Sequence, residues 1–457
     1  MPFLRSMIDS PKQRRKSRHA VGRRQTSPSE AAPDRRGPSH APMENAASDG
    51  GFASNRPQRQ RMMKTSHFLI ILAATAISIS TLYAPQPLLP IFRQQFGVSE
   101  TTASLLITVT MLPLGLAPLL YGYFLESFSS KKMMAGALIL LAATEIAIGF
   151  CTSYPPLLIL RLCQGLIIPA MLTSIMTYLS GAAPADAVRR VMAIYIATTT
   201  VGGFSGRFFT GLLAEFFSWR VPFFCLGASL AVAALLIRTL PPDTRPAFKR
   251  VPLAAIPEVL KKPGFLKIYG LAFCFFFVFA ATLNYLPFRL AQISGGYSAS
   301  RTGAMYLGYL MGISSSLLSM RTVRLLGGEV RAIAAGIGVM FLSVVLFAVP
   351  SQIALFFSLF VLCAGMFLSH SVAPGAINSC SGEKKGLVNG LYISFYYSGG
   401  ALGSYLPSVI QAHFGWSAFL GSLFFFLSLA LCLALTLKAQ SFQGPSEHPT
   451  PAHHVHH

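Results

Sequence analysis

The sequence predicts an all-α membrane protein whose twelve transmembrane helices form two six-helix bundles related by pseudo-two-fold symmetry. Three observations predict this fold. The first is composition, because 53% of the 457 residues are hydrophobic and only 11% are charged. Charged residues make up about a quarter of an ordinary soluble protein. The other two observations are a series of long apolar stretches and an internal repeat.

Twelve apolar stretches follow His67, and each is close to the roughly 20 residues that a helix needs to cross about 30 Å of hydrocarbon. They are predicted at residues 67–90, 102–125, 132–151, 155–179, 190–214, 219–240, 264–287, 299–320, 331–350, 353–375, 386–411 and 415–437. We expect the prolines of the segment Tyr83–Pro90 to bend or end the first helix, and Pro169 to kink the fourth.

An internal repeat relates the two halves of the chain. Residues 193–223 return 197 positions later as residues 390–420, and this offset superposes the only two tryptophans of the chain. The matched pairs are Tyr195/Tyr392, Ile196/Ile393, Gly202/Gly399, Gly203/Gly400, Gly206/Gly403 and Trp219/Trp416. A repeat of this kind is the signature of a duplicated unit.

The repeat divides the membrane region into two bundles, at residues 66–240 and 264–438, joined by a cytoplasmic linker at residues 241–263. Because each bundle contains an even number of spans, both enter the membrane from the same side. The repeats are therefore predicted to be parallel, related by an axis along the membrane normal.

The loop charges predict the orientation. If the N-terminus is cytoplasmic, nineteen lysines and arginines lie on the inner side, whereas only Arg93, Arg220, Arg289 and Arg301 lie outside. Basic loops face the cytoplasm in membrane proteins. We expect a multi-pass protein of the bacterial inner membrane with both termini in the cytoplasm.

The two ends of the chain are predicted to be disordered tails. Residues 1–65 are rich in Arg, Ser, Pro and Gln and cannot bury a core, and residues 439–457 are His-rich. The formal charge of +22 is partly due to fourteen cations before residue 65, but that tail has only two aromatic residues, Phe3 and Phe52. A nucleic-acid partner is therefore not expected.

No cofactor is expected either. The seven cysteines fall singly within or beside apolar stretches and have no metal-ligand spacing, so neither a disulfide framework nor a metal site is predicted. The expected partners are the lipid bilayer, a small-molecule substrate and protons, and the chain is expected to be a monomer.

Three charged residues lie well within predicted spans, away from the ends, where charges are costly and usually line a functional path. They are Glu145, Arg161 and Arg207. At 1.5 Å per residue, all three lie roughly 9 to 11 Å below the outer surface, so they could form one charge cluster. One interpretation is that Glu145 takes up and releases a proton while an arginine holds its charged form. The alternative is a static ion pair that seats the third helix.

Several polar residues in the spans are further candidates. His370 titrates in the physiological range, although a lone histidine among small residues is more often a hydrogen-bonded packing residue. The candidates for the substrate cavity are Tyr83, Gln86, Gln164, Asn284 and Tyr392. An interfacial aromatic belt would also account for the tyrosines.

The glycines of the repeat predict close helix packing, because small residues let helices approach each other in membranes. They are Gly202, Gly203, Gly206, Gly399, Gly400 and Gly403. A moving helix seam is a further hypothesis for the same residues.

Several motifs resemble the major facilitator superfamily, in particular its YnfM-type, arabinose-efflux-like branch. The resemblance covers nearly all of the predicted membrane region and is carried by YAPQPLLPIF, GGFSGRFFTGLLAEFFSWR, LNYLPFRL and SHSVAP. The family's Arg-x-x-Gln-Gly pattern appears as Arg161, Gln164 and Gly165, and the resemblance implies a role for Arg161 in proton coupling.

The family's loop between the second and third helices has counterparts here in Gly122, Glu126, Lys131 and Lys132, which the resemblance implies form a cytoplasmic gate. Ser127 and Ser129 replace the usual arginine and central glycine. The fifth helix also lacks the Gly-Pro step of the antiporter signature.

The function implied is secondary active transport, in which two bundles rock about a central site and export a small organic solute (a drug, sugar or metabolite) by proton antiport. Proton-coupled uptake of a sugar or metabolite is the alternative. A membrane-embedded enzyme would need a convergent set of catalytic groups, and a sensor would need a folded output domain; the sequence supports neither.

Overall fold

A computed structural model describes residues 64–124, 129–184, 187–242, 255–379 and 385–437, and every regular element in these ranges is helical. The helices of the first half are α1 Thr65–Tyr83, α2 Leu89–Phe96, α3 Glu100–Phe124, α4 Ser130–Phe150, α5 Tyr154–Ala182, α6 Val188–Phe216 and α7 Val221–Ile237. Those of the second half are α8 Ile256–Leu260, α9 Pro263–Ser294, α10 Ala299–Met305, α11 Tyr309–Leu326, α12 Glu329–Ala348, α13 Gln352–Ser379 and α14 Lys385–Leu435.

Each of the predicted apolar stretches contains helix. Within the described ranges, seven helical segments are long and apolar enough to cross a membrane by length and composition, and the apolar helices Glu100–Leu116 and Val221–Ile237 are shorter. The last two stretches are continuous in α14 except at Gly415, whose φ of 80° breaks the helix. The all-α class is confirmed, and the number of membrane crossings stays a prediction.

Prolines end α1 where the sequence predicts. Pro85 and Pro87 have no backbone N–H, so they cannot donate to the carbonyl groups of Thr81 and Tyr83 four residues earlier. The chain passes through a 3-10 turn at Gln86–Leu88 before α2 begins. In contrast, α5 continues as helix through Pro169 to Ala182.

The internal repeat extends to the residues that its glycines contact. Four glycines of α6 and α14 lie directly against the backbone of α1 and α9, with no room for a side chain. The contact pairs are Gly202–Ala76, Gly206–Ser80, Gly399–Phe273 and Gly403–Phe277. The partners of equivalent glycines are themselves 197 positions apart, so the offset that relates the glycines also relates α1 to α9.

The other two glycines of the set have different surroundings. Gly400 faces the ring of Phe276, whereas a Cβ atom on Gly203 would lie 3.4 Å from Arg207 Nη1 and 3.6 Å from the Tyr83 ring. Gly203 therefore faces the Arg207 side chain and the Tyr83 ring at ordinary contact distance, and its packing role stays a prediction.

The two halves meet along two seams, α3 with α14 and α6 with α10. Thr108 Oγ1 lies 2.7 Å from Ser404 Oγ across the α3–α14 seam. At the α6–α10 seam, Gly211 lies against the backbone of Ala299 and Gly303. The outer end, so named because the loop charges predict that it faces outward, contains residues 84–99, 217–220 and 295–298.

Candidate functional site

A hydrogen-bonded chain of three buried side chains joins α4 to α5. The Glu145, Arg161 and Gln164 side chains are fully buried. Gln164 Nε2 donates to Glu145 Oε1 at 2.9 Å, and Arg161 Nη1 donates to Gln164 Oε1 at 2.5 Å. Arg161 has only donors and an ionised carboxylate only acceptors, so the amide of Gln164 serves both in this orientation.

Arg161 also satisfies the end of α1. Its Nη1 donates to Thr81 O at 2.9 Å, and its Nη2 donates to Leu82 O at 2.6 Å. The last carbonyl groups of a helix have no partner within that helix, and the helix dipole favours a cation there. For Thr81 the missing donor is the absent N–H of Pro85. Arg161 therefore replaces a backbone donor at the break in α1.

Arg161 binds α3 as well, because its Nε donates to Leu106 O at 3.0 Å. In the opposite direction, Thr110 Oγ1 donates to Arg161 O at 3.0 Å. The guanidinium thus makes four hydrogen bonds with four of its five N–H groups. These contacts fix α1, α3 and α5 relative to one another.

Arg207 lies in a second network at the seam between the halves. Its Nε donates to Gln86 Oε1, and its Nη1 donates to Gly203 O at 2.6 Å. The guanidinium carbon lies 3.8 Å from the Tyr83 ring centroid and 4.9 Å from that of Tyr309. Arg207 is thus surrounded by aromatic faces from both halves.

The three intramembrane charges do not form one cluster. Glu145 and Arg161 are joined through Gln164, whereas Arg207 belongs to the second network. Glu145 and Arg161 do not form the direct ion pair that was the alternative prediction. The salt bridge found in the described ranges joins Arg93 to Glu100, at 2.8 Å. Gln164 links Glu145 to Arg161, and its place in a substrate cavity stays a prediction.

The predicted cavity residues Tyr83, Gln86 and Asn284 gather around Arg207. Gln86 Nε2 donates to Asn284 Oδ1 at 3.4 Å, and Asn284 Nδ2 donates to Ser404 O at 2.7 Å. This network crosses from the first half to the second.

An aromatic cluster on α9, α13 and α14 continues from the Arg207 network. Tyr396 stacks on Phe276, with centroids 3.7 Å apart, and on His370, with centroids 4.6 Å apart. His370 Nδ1 lies 3.0 Å from Tyr392 Oη. These contacts are typical of a packing role for His370, and its predicted proton role stays a hypothesis. Tyr392 is buried and binds His370.

A carboxylate bridges the two halves at the outer end. Glu215 Oε2, at the end of α6, accepts from the backbone N–H groups of Ala299 and Ser300 at 2.6 and 3.2 Å. Nearby, the Tyr297 hydroxyl donates to Pro87 O. Burial raises the pKa of the Tyr297 hydroxyl, which keeps it neutral and able to donate.

The predicted cytoplasmic gate is partly outside the described residues. Glu126 lies there, and Gly122 is known only as part of α3. Lys131 Nζ donates to Arg238 O at 2.9 Å, at the end of α7 where the helix dipole favours a cation. The backbone N–H of Lys132 donates to the Ser129 hydroxyl at the start of α4. Any gate formed by these residues stays a prediction.

The sequence did not identify Glu215, Tyr306 or Tyr309 as functional residues. Glu215 falls just beyond the predicted span 190–214. A carboxylate at the end of a span is expected to face water, so the sequence offered no reason to assign it a partner. Tyr306 and Tyr309 are three residues apart, which places them on one helix face. The sequence could therefore have predicted that the two rings lie together. Their position beside Arg207 is seen only in the structure, where the second half packs against the first.

The chain resembles known transporters over most of its length. A model of the family described as Major Facilitator Superfamily matches residues 67–404. "Inner membrane transport protein YnfM" of Escherichia coli is 28% identical over 376 residues, which cover 80% of this chain and 88% of that protein. "Multi-drug resistance efflux pump PmrA" of Streptococcus pneumoniae is 24% identical over 372 residues, covering 77% and 89%. The solved structure of the nucleoside transporter NupG has a TM-score of 0.67 at 16% identity, covering 82% of this chain and all of that one.

Proposed function

The chain belongs to the major facilitator superfamily and is a multi-pass membrane transporter, not an enzyme, and from this premise we propose that it exports a small organic solute in exchange for protons. Transport proceeds by alternating access, in which the two halves rock about the seam that contains Arg207. Glu145 is the proton carrier, and the solute binds at the seam.

The observation that carries this proposal is the hydrogen-bonded path between the two sites. It runs from Glu145 through Gln164 and Arg161 to the carbonyl groups at the end of α1. Within the next turn of the chain, Tyr83 and Gln86 contact Arg207. A change at Glu145 can therefore reach the seam through contiguous contacts.

Protonation alters this path because it changes what the carboxyl group can do. A carboxylate only accepts hydrogen bonds, whereas a carboxylic acid also donates one. Glu145 Oε1 accepts from Gln164, and the buried Oε2 has no hydrogen-bond partner in the described ranges. A protonated carboxyl that donates to Gln164 Oε1 competes with Arg161 for that oxygen. Arg161 then loses one of the contacts that hold it against α1.

Several hydrogen bonds join the two halves at the outer end, so export requires them to break. Opening must separate Glu215 from Ala299 and Ser300 and must break the contact between Gln86 and Asn284. These contacts are few and polar, which suits a seam that breaks and re-forms once in each cycle.

The test is proton flux driven by substrate in proteoliposomes, screened over a compound panel that includes drugs, sugars, nucleosides and carboxylates. Glu145→Gln keeps the size and polarity of the side chain but cannot ionise. We expect it to abolish proton flux coupled to the substrate while the purified protein still folds. Glu258→Gln is the matched control, because Glu258 is exposed on the short helix α8. Full coupled flux in Glu145→Gln would refute the proton assignment.

Proton-coupled uptake is the second candidate, because the same path can couple a proton to movement in either direction. The relative described as a multi-drug resistance efflux pump supports export. The two modes differ in linkage. In antiport, protonation of Glu145 weakens substrate binding, whereas in symport it strengthens binding. Substrate affinity measured against pH, with Glu145→Gln as the baseline, separates them.

A further inference from the structure

Arg207 is a buried cation without an anionic partner among the described residues. Its side chain is 1% exposed, and the salt bridge in the described ranges involves Arg93 and Glu100 instead. Its hydrogen bonds to Gln86 and Gly203 use two of the five N–H groups of a guanidinium. The Tyr83 side chain also hydrogen-bonds to Arg207, so acceptors in the described part of the chain serve about three of the five donors.

Arg161 provides the comparison within the same molecule. It is equally buried, yet four of its N–H groups bind oxygen atoms, three of them carbonyl groups of the backbone. The protein thus supplies enough acceptors where an arginine serves packing. At Arg207 it supplies fewer.

The aromatic faces around Arg207 do not replace the missing anionic partner. A cation–π contact offsets only part of the free energy that it costs to remove an ion from water. The rings of Tyr83, Tyr306 and Tyr309 lie 3.8, 5.3 and 4.9 Å from the guanidinium carbon. They make the surroundings flat and apolar without supplying a negative charge.

The remaining polar groups beside Arg207 include tyrosine hydroxyls, which can donate as well as accept hydrogen bonds. The Tyr309 ring lies 4.9 Å from the guanidinium carbon, and its hydroxyl can donate a hydrogen bond to a ligand at this position. The carboxylates that are described nearby are engaged elsewhere, Glu145 with Gln164 and Glu215 with the start of α10. The seam therefore offers donors and a positive charge, which suits an anion.

A continuous aromatic surface leads away from this charge. Ring contacts run from Tyr309 to Phe279 at 5.9 Å, from Phe279 to Phe276 at 6.0 Å, and from Phe276 to Tyr396 at 3.7 Å. The side chains of Tyr83, Tyr396 and Tyr397 are half-buried, so this surface has an accessible border. A flat apolar body would stack along it while its charged group reaches Arg207.

We propose that Arg207 binds the carboxylate of the transported substrate, which is an organic anion with an aromatic or similarly flat apolar body. The guanidinium can form two parallel hydrogen bonds to a carboxylate, and Tyr309 supplies a third donor. This assignment rests on the proposed function, because it names the substrate class of the same seam.

Equilibrium binding to the purified full chain in lipid nanodiscs, without any gradient, tests the assignment. The probes are matched pairs that differ only in charge: indole-3-acetate with indole-3-acetamide, and benzoate with benzamide. Charged hydrogen bonds contribute about 1.5 to 3 kcal/mol, so we expect the carboxylates to bind about 10- to 100-fold more tightly than the amides.

Variants identify the residue responsible. Arg207→Gln should remove the preference for the carboxylate, and Arg207→Lys should keep part of it, because it retains the charge without the paired donors. Arg301→Gln removes the same charge at an exposed position on α10 and should leave the preference unchanged. If Arg207→Gln does not fold, Tyr309→Phe replaces it, with an expected weakening of carboxylate binding only.

Three results would overturn the assignment: equal affinity of the wild type for carboxylate and amide, no carboxylate binding at millimolar concentration, or an unchanged preference in folded Arg207→Gln. The outcome is independent of proton coupling. Carboxylate binding through Arg207 without proton-dependent flux would refute the proposed function alone. Proton-coupled flux of a neutral solute with no charge preference would refute this assignment alone.

Discussion

Arg161 and Arg207 are both buried arginines, but their surroundings give them different roles. Arg161 binds carbonyl groups on α1 and α3, so it holds helices together as well as contacting Gln164. Arg207 has fewer hydrogen-bond partners and three aromatic neighbours. The stabilising role belongs to the first arginine and the binding role to the second.

This difference predicts an order of stabilities. Arg161→Met leaves Thr81 O and Leu82 O buried without donors, and each unsatisfied group costs about 1 to 3 kcal/mol. Arg207→Met strands Gln86 Oε1, whereas Gly203 O keeps the backbone N–H of residue 207 within α6, and the change removes a buried cation that has few partners. We therefore expect Arg161→Met to lower the midpoint of thermal unfolding clearly more than Arg207→Met. Equal or reversed effects would contradict the roles given to the two residues.

The sequence predicted the depth of these charges but not their partners. Depth follows from the helical rise of 1.5 Å per residue, so residue counting places Glu145, Arg161 and Arg207 at a similar level. Which side chains meet depends on the rotation of each helix about its axis, which packing decides. Gln164 could have been paired with Arg161 from sequence, because residues three apart share a helix face.

Among the sequence features, the duplicated glycines predicted the helix contacts best. The sequence predicted close approach at these positions, and the structure shows that the contacted residues repeat with the same offset. The prolines after Tyr83 likewise end α1 as predicted, since the loss of backbone donors is a local effect. Glu215 had no comparable signal, because its partners belong to the other half.

Gly206→Ala tests the α1–α6 contact. An added Cβ atom would lie 2.5 Å from Ser80 O and 2.7 Å from Ser80 Cα. Overpacking of this kind costs about 1 to 3 kcal/mol, so we expect a lower midpoint of thermal unfolding. Gly136→Ala is the matched control, because Gly136 is also helical and has nothing within 4 Å of the added atom. A tolerated Gly206→Ala would disprove the close contact.

Glu215 is predicted to keep the α6–α10 seam closed. The measurement is the rate of disulfide formation between Thr108→Cys and Ser404→Cys, whose native hydroxyl oxygens are 2.7 Å apart across the α3–α14 seam, the second contact between the same two halves. It is made in a background without the seven native cysteines. Glu215→Ala removes the acceptor of two backbone N–H groups and should slow the cross-linking. Glu329→Ala, at the start of α12, should not. An unchanged rate in Glu215→Ala would show that this carboxylate does not control closure.

The whole molecule combines a symmetric scaffold with an asymmetric distribution of charge. The repeat relates α1 to α9 and α6 to α14, but position 404, the counterpart of Arg207, is a serine, and the buried Glu145 has no acidic counterpart. The first half therefore carries the charged network, and the second half contributes the aromatic surface. Family resemblance and composition predicted the helical scaffold. The contacts between the charged network of the first half and the aromatic surface of the second half could be identified only from the structure.

The central claim is that the halves rock about the Arg207 seam and that the protonation of Glu145 selects which end is open. Pulsed electron–electron distance measurements test it directly, with spin labels at Gln95 and Arg301 across the outer end and at Lys132 and Arg324 for the opposite end, all exposed positions. Lowering the pH should change the two distances in opposite directions, and Glu145→Gln should remove that response. Distances that do not change with pH, or that change equally in Glu145→Gln, would contradict the account.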